Sequence, residues 1–300
     1  MLSILIPVYN RSVVNLIYTL HEQLKIKNLK FEINILDDAS TRTSYLEEHQ
    51  ALNDLPFTSF HKLEQNIGRS AIRNKLGKMA KYDWLLFLDA NTAITHPNFI
   101  ETYINYLGPN NTVIFGGISY KKPDNPNYSL RYNYGVQRES KTLIERKKNP
   151  YLNFTSKNFC ISKSVFLNQL FDENFKTFGY EDTFFALNLK RKGIDIKHIN
   201  NPIQHIDLDD NLSFLLKIES ALKNLIRFKN ELNTPSFKLL NYYNILLKTR
   251  LVIPLGFLTK CIQKPLEKLI CKKNNNLFIF DVYRLLLLCK LTVEKHNSHA

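Results

Sequence analysis

Short apolar runs alternate with longer amphipathic stretches through the first ninety residues, and this alternation constrains the fold more than any other feature. The apolar runs predict strands at Leu2–Pro7, Phe31–Leu36, Phe57–His61 and Trp84–Leu88. Apolar residues at helical spacing predict helices at Val13–Lys27, Thr43–Leu52 and Ile67–Ala80. Strand–helix–strand units of about thirty residues are typical of parallel pairing. We therefore predict an α/β fold with a Rossmann-like, mainly parallel sheet flanked by helices.

The pattern becomes less regular after Asn91. It predicts a helix after Pro97, a strand at Val113–Gly117, a helix at Tyr180–Lys192 and a strand at Ile194–Ile199. The chain beyond His205 has helical spacing, with breaks predicted at Pro235, Pro254 and Pro265. We therefore predict two domains, residues 1–207 with the sheet and residues 208–300 as a basic helical C-terminal region.

The formal net charge is +14, and residues 207–300 carry 15 Lys/Arg against 8 Asp/Glu. Such an excess fits nucleic acid, an anionic membrane surface or phosphorylated substrates. The sequence has no helix-turn-helix, zinc or RNP-type pattern, so a nucleic-acid partner is not expected. Cys160, Cys261, Cys271 and Cys289 form no CxxC pair, which indicates reduced thiols.

No apolar stretch reaches the roughly 18 residues of a membrane-spanning helix, and the N-terminus lacks a basic leader. We therefore expect a cytoplasmic protein. Leu212–Leu232 and Leu239–Leu258 mix apolar residues with Lys and Arg, as a helix lying on a membrane surface does. The same segments could pack on the first domain or on a second subunit. We favour peripheral contact with the inner face of the cytoplasmic membrane.

Polar residues follow three of the predicted strands. They are Pro7-Val8-Tyr9-Asn10, Asp37-Asp38-Ala39-Ser40 and Asp89-Ala90-Asn91. Parallel strands end at the same edge of a sheet, and ligands of doubly wound sheets bind there. Each acidic cluster taken alone is more often a helix cap or an Asx-turn. Three clusters at successive strand ends instead favour a ligand site.

The Asp89-x-Asn91 spacing suits a divalent cation, with a carboxylate and an amide oxygen as ligands. Arg69 lies near the start of a predicted helix, which is a favourable place for a phosphate. Arg69 or Arg73 could instead form an ion pair between helix and sheet, and for Arg73 we favour that interpretation. His205 is either a further metal ligand or a structural histidine.

A second acidic cluster, Gly179-Tyr180-Glu181-Asp182, precedes a predicted helix. Carboxylates in the first turn of a helix stabilise it, which is the simpler interpretation. A carboxylate held rigidly there could also remove a proton from a hydroxyl group.

Six segments in this order resemble the family 2 glycosyltransferases of the GT-A fold. They are ILIPVYNR, ILDDAS, NIGRSAIRN, WLLFLDAN, KNFCISKSVF and FDENFKTFGYEDTFFALNLKRKGI. The resemblance implies inverting transfer from a nucleoside-diphosphate sugar with Mn²⁺ or Mg²⁺. It assigns the nucleotide to Pro7, Tyr9, Asn10, Asp37, Asp38, Arg69 and Asp89, and the metal to Asp89, Asn91 and His205. It makes Asp182 the catalytic base, with Glu181 and Tyr180 toward the acceptor.

The resemblance also implies a UDP-sugar donor and a glycan or lipid-linked acceptor in cell-surface polysaccharide synthesis. Asn91 departs from the family's D-x-D pattern, because an amide is a weaker metal ligand than a carboxylate. A non-catalytic nucleotide-sugar-binding relative and a basic nucleic-acid-binding protein therefore stay as alternatives. A dinucleotide-dependent oxidoreductase or a serine hydrolase is not expected, since the G-x-G-x-x-G and G-x-S-x-G patterns are lacking.

Overall fold

The computed structural model describes residues 1–25, 29–109, 112–272 and 276–297. They form two compact units. The sheet unit comprises Met1–Lys121, Glu139–Lys176 and Glu181–Asp207. The helical unit comprises Lys122–Arg138, Thr177–Tyr180 and the chain from Leu208 onward. The sheet unit thus ends at Asp207, where the predicted first domain also ends. The helical unit, however, also includes the earlier segments Lys122–Arg138 and Thr177–Tyr180. The division into domains 1–207 and 208–300 stays a prediction.

All strands that the described residues form lie in the sheet unit. They are β1 (Leu2–Val8), β2 (Phe31–Asp37), β3 (Thr58–Lys62), β4 (Trp84–Leu88), β5 (Thr92–Ala93), β6 (Val113–Phe115), β7 (Ile118–Tyr120), β8 (Asn158–Ser162), β9 (Lys197–His198) and β10 (Ile203–His205) among the described residues. Seven form one sheet in the order β3-β2-β1-β4-β8-β6-β9, and β5-β10-β7 form a small second sheet. The pairs β3–β2, β2–β1, β1–β4 and β6–β9 are parallel, whereas β8 is antiparallel to both β4 and β6. The predicted α/β fold with a mainly parallel sheet is confirmed.

Helices flank the sheet and build the second unit. They are α1 (Val14–Lys25), α2 (Leu46–Gln50), α3 (Arg69–Met79), α4 (Phe99–Ile104), α5 (Ser129–Tyr134), α6 (Leu143–Lys148), α7 (Lys163–Asn168), α8 (Glu181–Arg191), α9 (Asn211–Arg227), α10 (Lys229–Leu232), α11 (Lys238–Lys248), α12 (Val252–Cys271) and α13 (Leu277–Asn297). Helices α5 and α9 to α13 belong to the helical unit. The last two residues of the predicted helix Val13–Lys27 lie outside the described residues.

Apolar cores cover both faces of the main sheet, which explains why β1 and β4 are nearly continuous apolar runs. One core includes Ile4 and Leu86 together with side chains of α1 and α4. The other includes Phe87, Phe166 and Phe185, and joins the sheet to α3, α7 and α8. These contacts fix α3 and α8, whose first turns carry residues of the predicted site.

Two sequence predictions need correction in the fold. The strand predicted at Ile194–Ile199 contains only the two residues of β9. The break predicted at Pro265 is wrong, because α12 continues through it. Contacts on both sides of the proline hold the helix against α13. The Thr259 hydroxyl donates to the Leu286 carbonyl at 3.2 Å, and the Tyr283 hydroxyl donates to Glu267 Oε1 at 2.8 Å.

The helical unit contains its own aromatic core. The rings of Tyr134 and Phe214 have centroids 5.4 Å apart, and Phe280 lies within 5.8 Å of both. In α12, Gly256 allows close packing on α13, since a Cβ there would lie 2.7 Å from a methyl group of Val293. Among the described helices, none is long and apolar enough to cross a membrane.

Candidate functional site

The carboxyl ends of β1, β2 and β4 lie side by side, because β1 pairs in parallel with both other strands. They bring the segments after Pro7, Asp37 and Leu88 to one edge of the sheet. The expectation that the three polar clusters share an edge is confirmed. Tyr9 follows β1 and is 48% exposed at this edge.

At the end of β2, both aspartates accept hydrogen bonds from backbone amides. The Ser40 amide donates to Asp37 Oδ1 at 2.6 Å. The Ile67 and Gly68 amides donate to the two carboxylate oxygens of Asp38 at 2.7 and 3.0 Å. Burial raises the pKa of Asp38 despite these two bonds. Both side chains therefore shape loops, and Asp38 fixes the loop that leads into α3.

Asn10 ties the end of β1 to the loop that follows β2. Its Oδ1 accepts from the Thr41 and Arg42 amides at 2.9 Å each, and its own amide donates to Ser40 Oγ at 2.7 Å. Its φ of +53° lies in the left-handed region, which Asn tolerates better than most residues. The Asn10 side chain is thus used within the protein, where the resemblance assigned it to the nucleotide.

A small cationic cleft beside Asn10 was not predicted from the sequence. It is lined by Arg11, Asp37, Ser40, Arg42, Tyr45, Leu46, His49 and Lys62. Three cations at the edge where β2 ends suit a negatively charged ligand. Arg11 directly follows the Tyr9-Asn10 pair, so its position along the chain was the available signal.

At the end of β4, Asp89 is held by two arginines from α3. Arg73 Nη2 donates to Asp89 Oδ1 at 2.5 Å, and Arg69 Nη2 lies 3.9 Å from Asp89 Oδ2. Arg73 is 2% exposed, so the ion pair predicted between helix and sheet is confirmed for this residue. Burial acts to raise the pKa of Asp89, but Arg73, Arg69 and Lys157 together lower it. Asp89 is therefore ionised at neutral pH.

Arg69 also reaches the acidic first turn of α8. Its Nε donates to Glu181 Oε1 at 2.8 Å. Burial acts to lower the pKa of Arg69, yet the nearby carboxylates of Glu181, Asp89 and Asp182 raise it. The Arg69 side chain is 38% exposed, so a ligand can reach it while two carboxylates hold it.

Asp182, the predicted catalytic base, is oriented by Ser156. The Ser156 hydroxyl donates to Asp182 Oδ1 at 2.8 Å, and the Ser156 amide donates to Oδ2 at 3.1 Å. Burial, and then the charge of Glu181, raise the pKa of Asp182 to about 6 despite Arg73 and Arg69. A carboxylate with this pKa can take up a proton near neutral pH. Ser156 itself is fully buried and was not predicted from the sequence.

Tyr180, assigned by resemblance to the acceptor, belongs to the helical unit. Its hydroxyl accepts a hydrogen bond from Arg284 Nη2 at 3.2 Å. Gly179 and Tyr180 both have positive φ, +114° and +68°. At Gly179 the reason is close packing, since a Cβ there would lie 2.3 Å from the Cβ of Ala221.

Asn91 and His205 lie next to each other, with Asn91 Nδ2 3.3 Å from His205 Nε2. β10 places His205 opposite Thr92 and Tyr120 in the small sheet. In the described part of the chain, no group of three or more His, Cys, Asp or Glu could hold a metal ion. Asp89 is paired with two arginines, so the metal ligands that this site offers are the Asn91 amide and the His205 imidazole. This pair fits a cation only if the bound ligand supplies further oxygens.

A second group that sequence analysis missed lies near Asp89. Lys157 Nζ donates to Glu139 Oε2 at 2.8 Å, and the Tyr120 hydroxyl also donates to Glu139. The Asp89 amide donates to the Lys157 carbonyl at 3.1 Å, which fixes Lys157 beside the end of β4. The rings of Tyr120 and His205 have centroids 5.3 Å apart. Nothing in the sequence around Glu139 indicated this group, because its partners are distant along the chain.

The glycosyl transferase family 2 model matches residues 3–175, more than half of the chain. The chain belongs to this family. Membership supports a transferase that uses a nucleotide-sugar donor, and enzymes of this fold typically use a divalent metal ion. Among curated proteins, none matches the chain by sequence.

Solved structures show the same GT-A fold for this family 2 chain. The mannosyltransferase PcManGT from Pyrobaculum calidifontis, in complex with GDP-Man and Mn²⁺, is similar with a TM-score of 0.59 at 13% identity. The alignment covers 97% of this chain and 86% of that one. The 1–349 fragment of S. aureus TarS with UDP gives 0.51 at 15% identity, covering 100% and 92%. Other TarS structures are matched over only 65% and 39% of their length.

Proposed function

We propose that this family 2 protein is an inverting glycosyltransferase. It moves a hexosyl or N-acetylhexosaminyl group from a UDP-sugar to a hydroxyl of a glycan or a lipid-linked acceptor, in cell-surface polysaccharide synthesis. The observation that carries this proposal is Asp182. It is oriented by two hydrogen bonds from Ser156 and has a pKa raised to about 6. It lies close to Glu181, Arg73 and Arg69, and both arginines pair with Asp89.

The donor is proposed to bind along the edge formed by β1, β2 and β4. The exposed ring of Tyr9 offers a stacking surface for the base, and Arg69 at the start of α3 offers a cation for the diphosphate. The side chains of Asn10, Asp37 and Asp38 shape the walls of this site by accepting hydrogen bonds from backbone amides, and Pro7 pairs with Leu36 within the sheet. The complexes of the two similar structures, one with UDP and one with GDP-Man and Mn²⁺, support a nucleoside diphosphate donor.

Asp182 is proposed to remove the proton from the acceptor hydroxyl. The oxygen then attacks the anomeric carbon from the side opposite the diphosphate, the bond to the diphosphate breaks, and the configuration inverts. Arg69 stabilises the negative charge of the departing diphosphate, and Glu181 and Tyr180 are proposed to contact the acceptor. Asn91 and His205, together with oxygen atoms of the bound donor, would hold Mn²⁺ or Mg²⁺, which would add positive charge at the diphosphate.

Two experiments test the proposal. Calorimetric titration with UDP and with GDP, each with and without Mn²⁺, should show that the wild-type protein binds one of the two nucleotides. The affinity for that nucleotide should be lower in Asp89→Ala. If the wild-type protein binds neither nucleotide, the donor assignment is wrong. That result would favour a relative that no longer transfers sugar.

Transfer to acceptor should then fall by about 10²–10⁴-fold in Asp182→Asn, because the amide cannot accept the proton. Nucleotide binding should stay within twofold. The matched control is Asp83→Asn, which removes an exposed carboxylate just before β4. If Asp182→Asn loses nucleotide binding and transfer equally, Asp182 is not the base.

A further inference from the structure

One side of α12 in the helical unit exposes a row of apolar side chains. Ile253, Phe257, Leu258 and Leu269 are 61%, 51%, 49% and 53% exposed. Pro254, Cys261 and Pro265 are exposed between them, at the three- and four-residue spacing that places residues on one side of a helix. These seven residues are here called the α12 face.

The opposite side of α12 is the side that packs within the unit. Val252, Gly256, Thr259 and Ile270 are buried there, and Gly256 and Thr259 contact α13. The apolar residues of the α12 face therefore do not take part in the packing of α12 against the rest of the helical unit. A helix that packs on one side normally carries polar residues on the other.

Five exposed cations lie on α12 or just before it. Lys248, Arg250, Lys260, Lys264 and Lys268 are all exposed. Residues 232–266 contain no Asp or Glu. Glu267 is directed inward, accepting hydrogen bonds from Tyr283 and Gln263. Among the described residues, none of these five cations forms a salt bridge with a carboxylate.

The backbone of Arg250 is in the left-handed region, which is energetically unfavourable for a residue with a side chain. It ends α11 with a φ of +60°, and the Leu251 amide donates to the Leu246 carbonyl at 2.9 Å. This is the Schellman arrangement, in which glycine is the usual residue at the left-handed position. A cation in place of glycine here interacts favourably with the C-terminal end of α11, and it also adds charge next to Leu251 and Ile253.

We propose that the α12 face, with the turn that precedes it, binds the surface of an anionic lipid bilayer. Ile253, Phe257 and Leu258 would enter the boundary between headgroups and acyl chains. Lys248, Arg250, Lys260 and Lys264 would contact lipid phosphates. The Lys260 ammonium lies 5.3 Å from the centroid of the Phe257 ring, so the stem of this lysine already follows the apolar surface. This places the protein peripherally on a membrane such as the inner face of the cytoplasmic membrane.

The charges and the apolar residues together favour a bilayer over other occupants. A second copy of the chain would bring a second cationic face against the first, and like charges repel. A nucleic acid offers phosphates, but it offers no apolar interior for Phe257 and Ile253. The inference stands apart from the transferase reaction, since vesicle binding requires neither donor nor acceptor.

Vesicle co-sedimentation of the full chain tests the proposal. We expect binding to vesicles that mix phosphatidylcholine with phosphatidylglycerol, weakening as salt is added, and little binding to phosphatidylcholine alone. Arg250→Gly should weaken binding about fivefold, the effect of one basic residue near the surface. It should leave the thermal unfolding temperature equal or higher, since glycine suits this φ. Phe257→Ser should weaken binding as well.

The matched control for charge is Lys30→Gln, an exposed lysine of the sheet unit. If Lys30→Gln, Arg250→Gly and Phe257→Ser weaken binding equally, or if neither kind of vesicle is bound, the proposal is overturned.

Cys261 lies within the α12 face and allows a second measurement. It is exposed, whereas Cys160 and Cys289 are buried. A polarity-sensitive fluorophore on Cys261, in a Cys271→Ser background, should shift its emission to the blue when phosphatidylglycerol vesicles are added. A blue shift that instead rises with protein concentration without vesicles would show that a second copy covers this face, and would overturn the proposal.

Discussion

The ends of β2 and β4 both carry buried aspartates at the same edge of the sheet, but the carboxylates are stabilised in different ways. At the end of β2, Asp37 and Asp38 accept hydrogen bonds from backbone amides. At the end of β4, Asp89 faces two guanidinium groups from α3. The pKa values respond in opposite directions, since burial raises that of Asp38 while the arginines lower that of Asp89.

This difference indicates that the two strand ends have different roles at the same edge of the sheet. Backbone amides cannot leave their loop, so the β2 end is a fixed wall. Side-chain charges can exchange partners, so the β4 end can respond when a charged ligand arrives. The cation Arg69, which is partly exposed and shared between Glu181 and Asp89, is the member of this group best placed to do so.

Among changes at the two strand ends, Arg73→Ala should lower the free energy of unfolding most. It leaves the carboxylate of Asp89 buried without its closest cation, which typically costs about 3–5 kcal/mol. Urea unfolding should show this loss, and adding Asp89→Asn in the same chain should recover part of it. Lys75→Ala, an exposed position on the same helix, is the control and should change stability by less than about 0.5 kcal/mol. A loss as small as that of the control would mean that the ion pair does not stabilise the fold.

A smaller effect is expected from Asp38→Ala. It removes the acceptor for the Ile67 and Gly68 amides, but both residues are only half-buried, so water can take its place. We therefore expect the loss of the two bonds to destabilise the fold by about 1.5–3 kcal/mol in total. Asp38→Asn retains one acceptor oxygen and should lose less. Urea unfolding of both variants measures the order. If Asp38→Ala destabilises the protein as much as Arg73→Ala, the distinction between the two strand ends fails.

The smallest effect is expected from Ser156→Ala, which acts on the pH dependence of transfer. The rate should fall as pH decreases through about 6, because protonated Asp182 cannot act as a base. Without the Ser156 hydroxyl, the ionised carboxylate loses a hydrogen bond, so the pKa of Asp182 rises by about one unit or less. The acid limb of kcat/KM against pH should therefore move to higher pH. Ser164→Ala, exposed in α7, should leave it unmoved, and an unmoved limb in Ser156→Ala would contradict this positioning role.

Local patterns predicted the parts of the structure that depend on local interactions. The apolar runs of β1, β2 and β4 and the helical spacing of α3 placed the edge of the sheet correctly. The Asx-type contact of Asp37 with Ser40 also spans only three residues. Ser156, Lys157 and Glu139 were missed, because each meets its partners only after distant segments have packed. β8 was missed as a strand for the same reason, since its pairing with β4 and β6 is set by the whole sheet.

The late position of β8 in the chain has a consequence for folding. β4 must pair with residues 70 to 78 positions further along before its second edge is covered. During synthesis, β1 to β4 could assemble first, but the apolar edge WLLFL would stay open until Ser162 had left the ribosome. Open apolar edges are where aggregation begins, and long-range pairing is slow. Production of this protein should therefore be most sensitive to temperature and translation rate while residues 89–162 are being made.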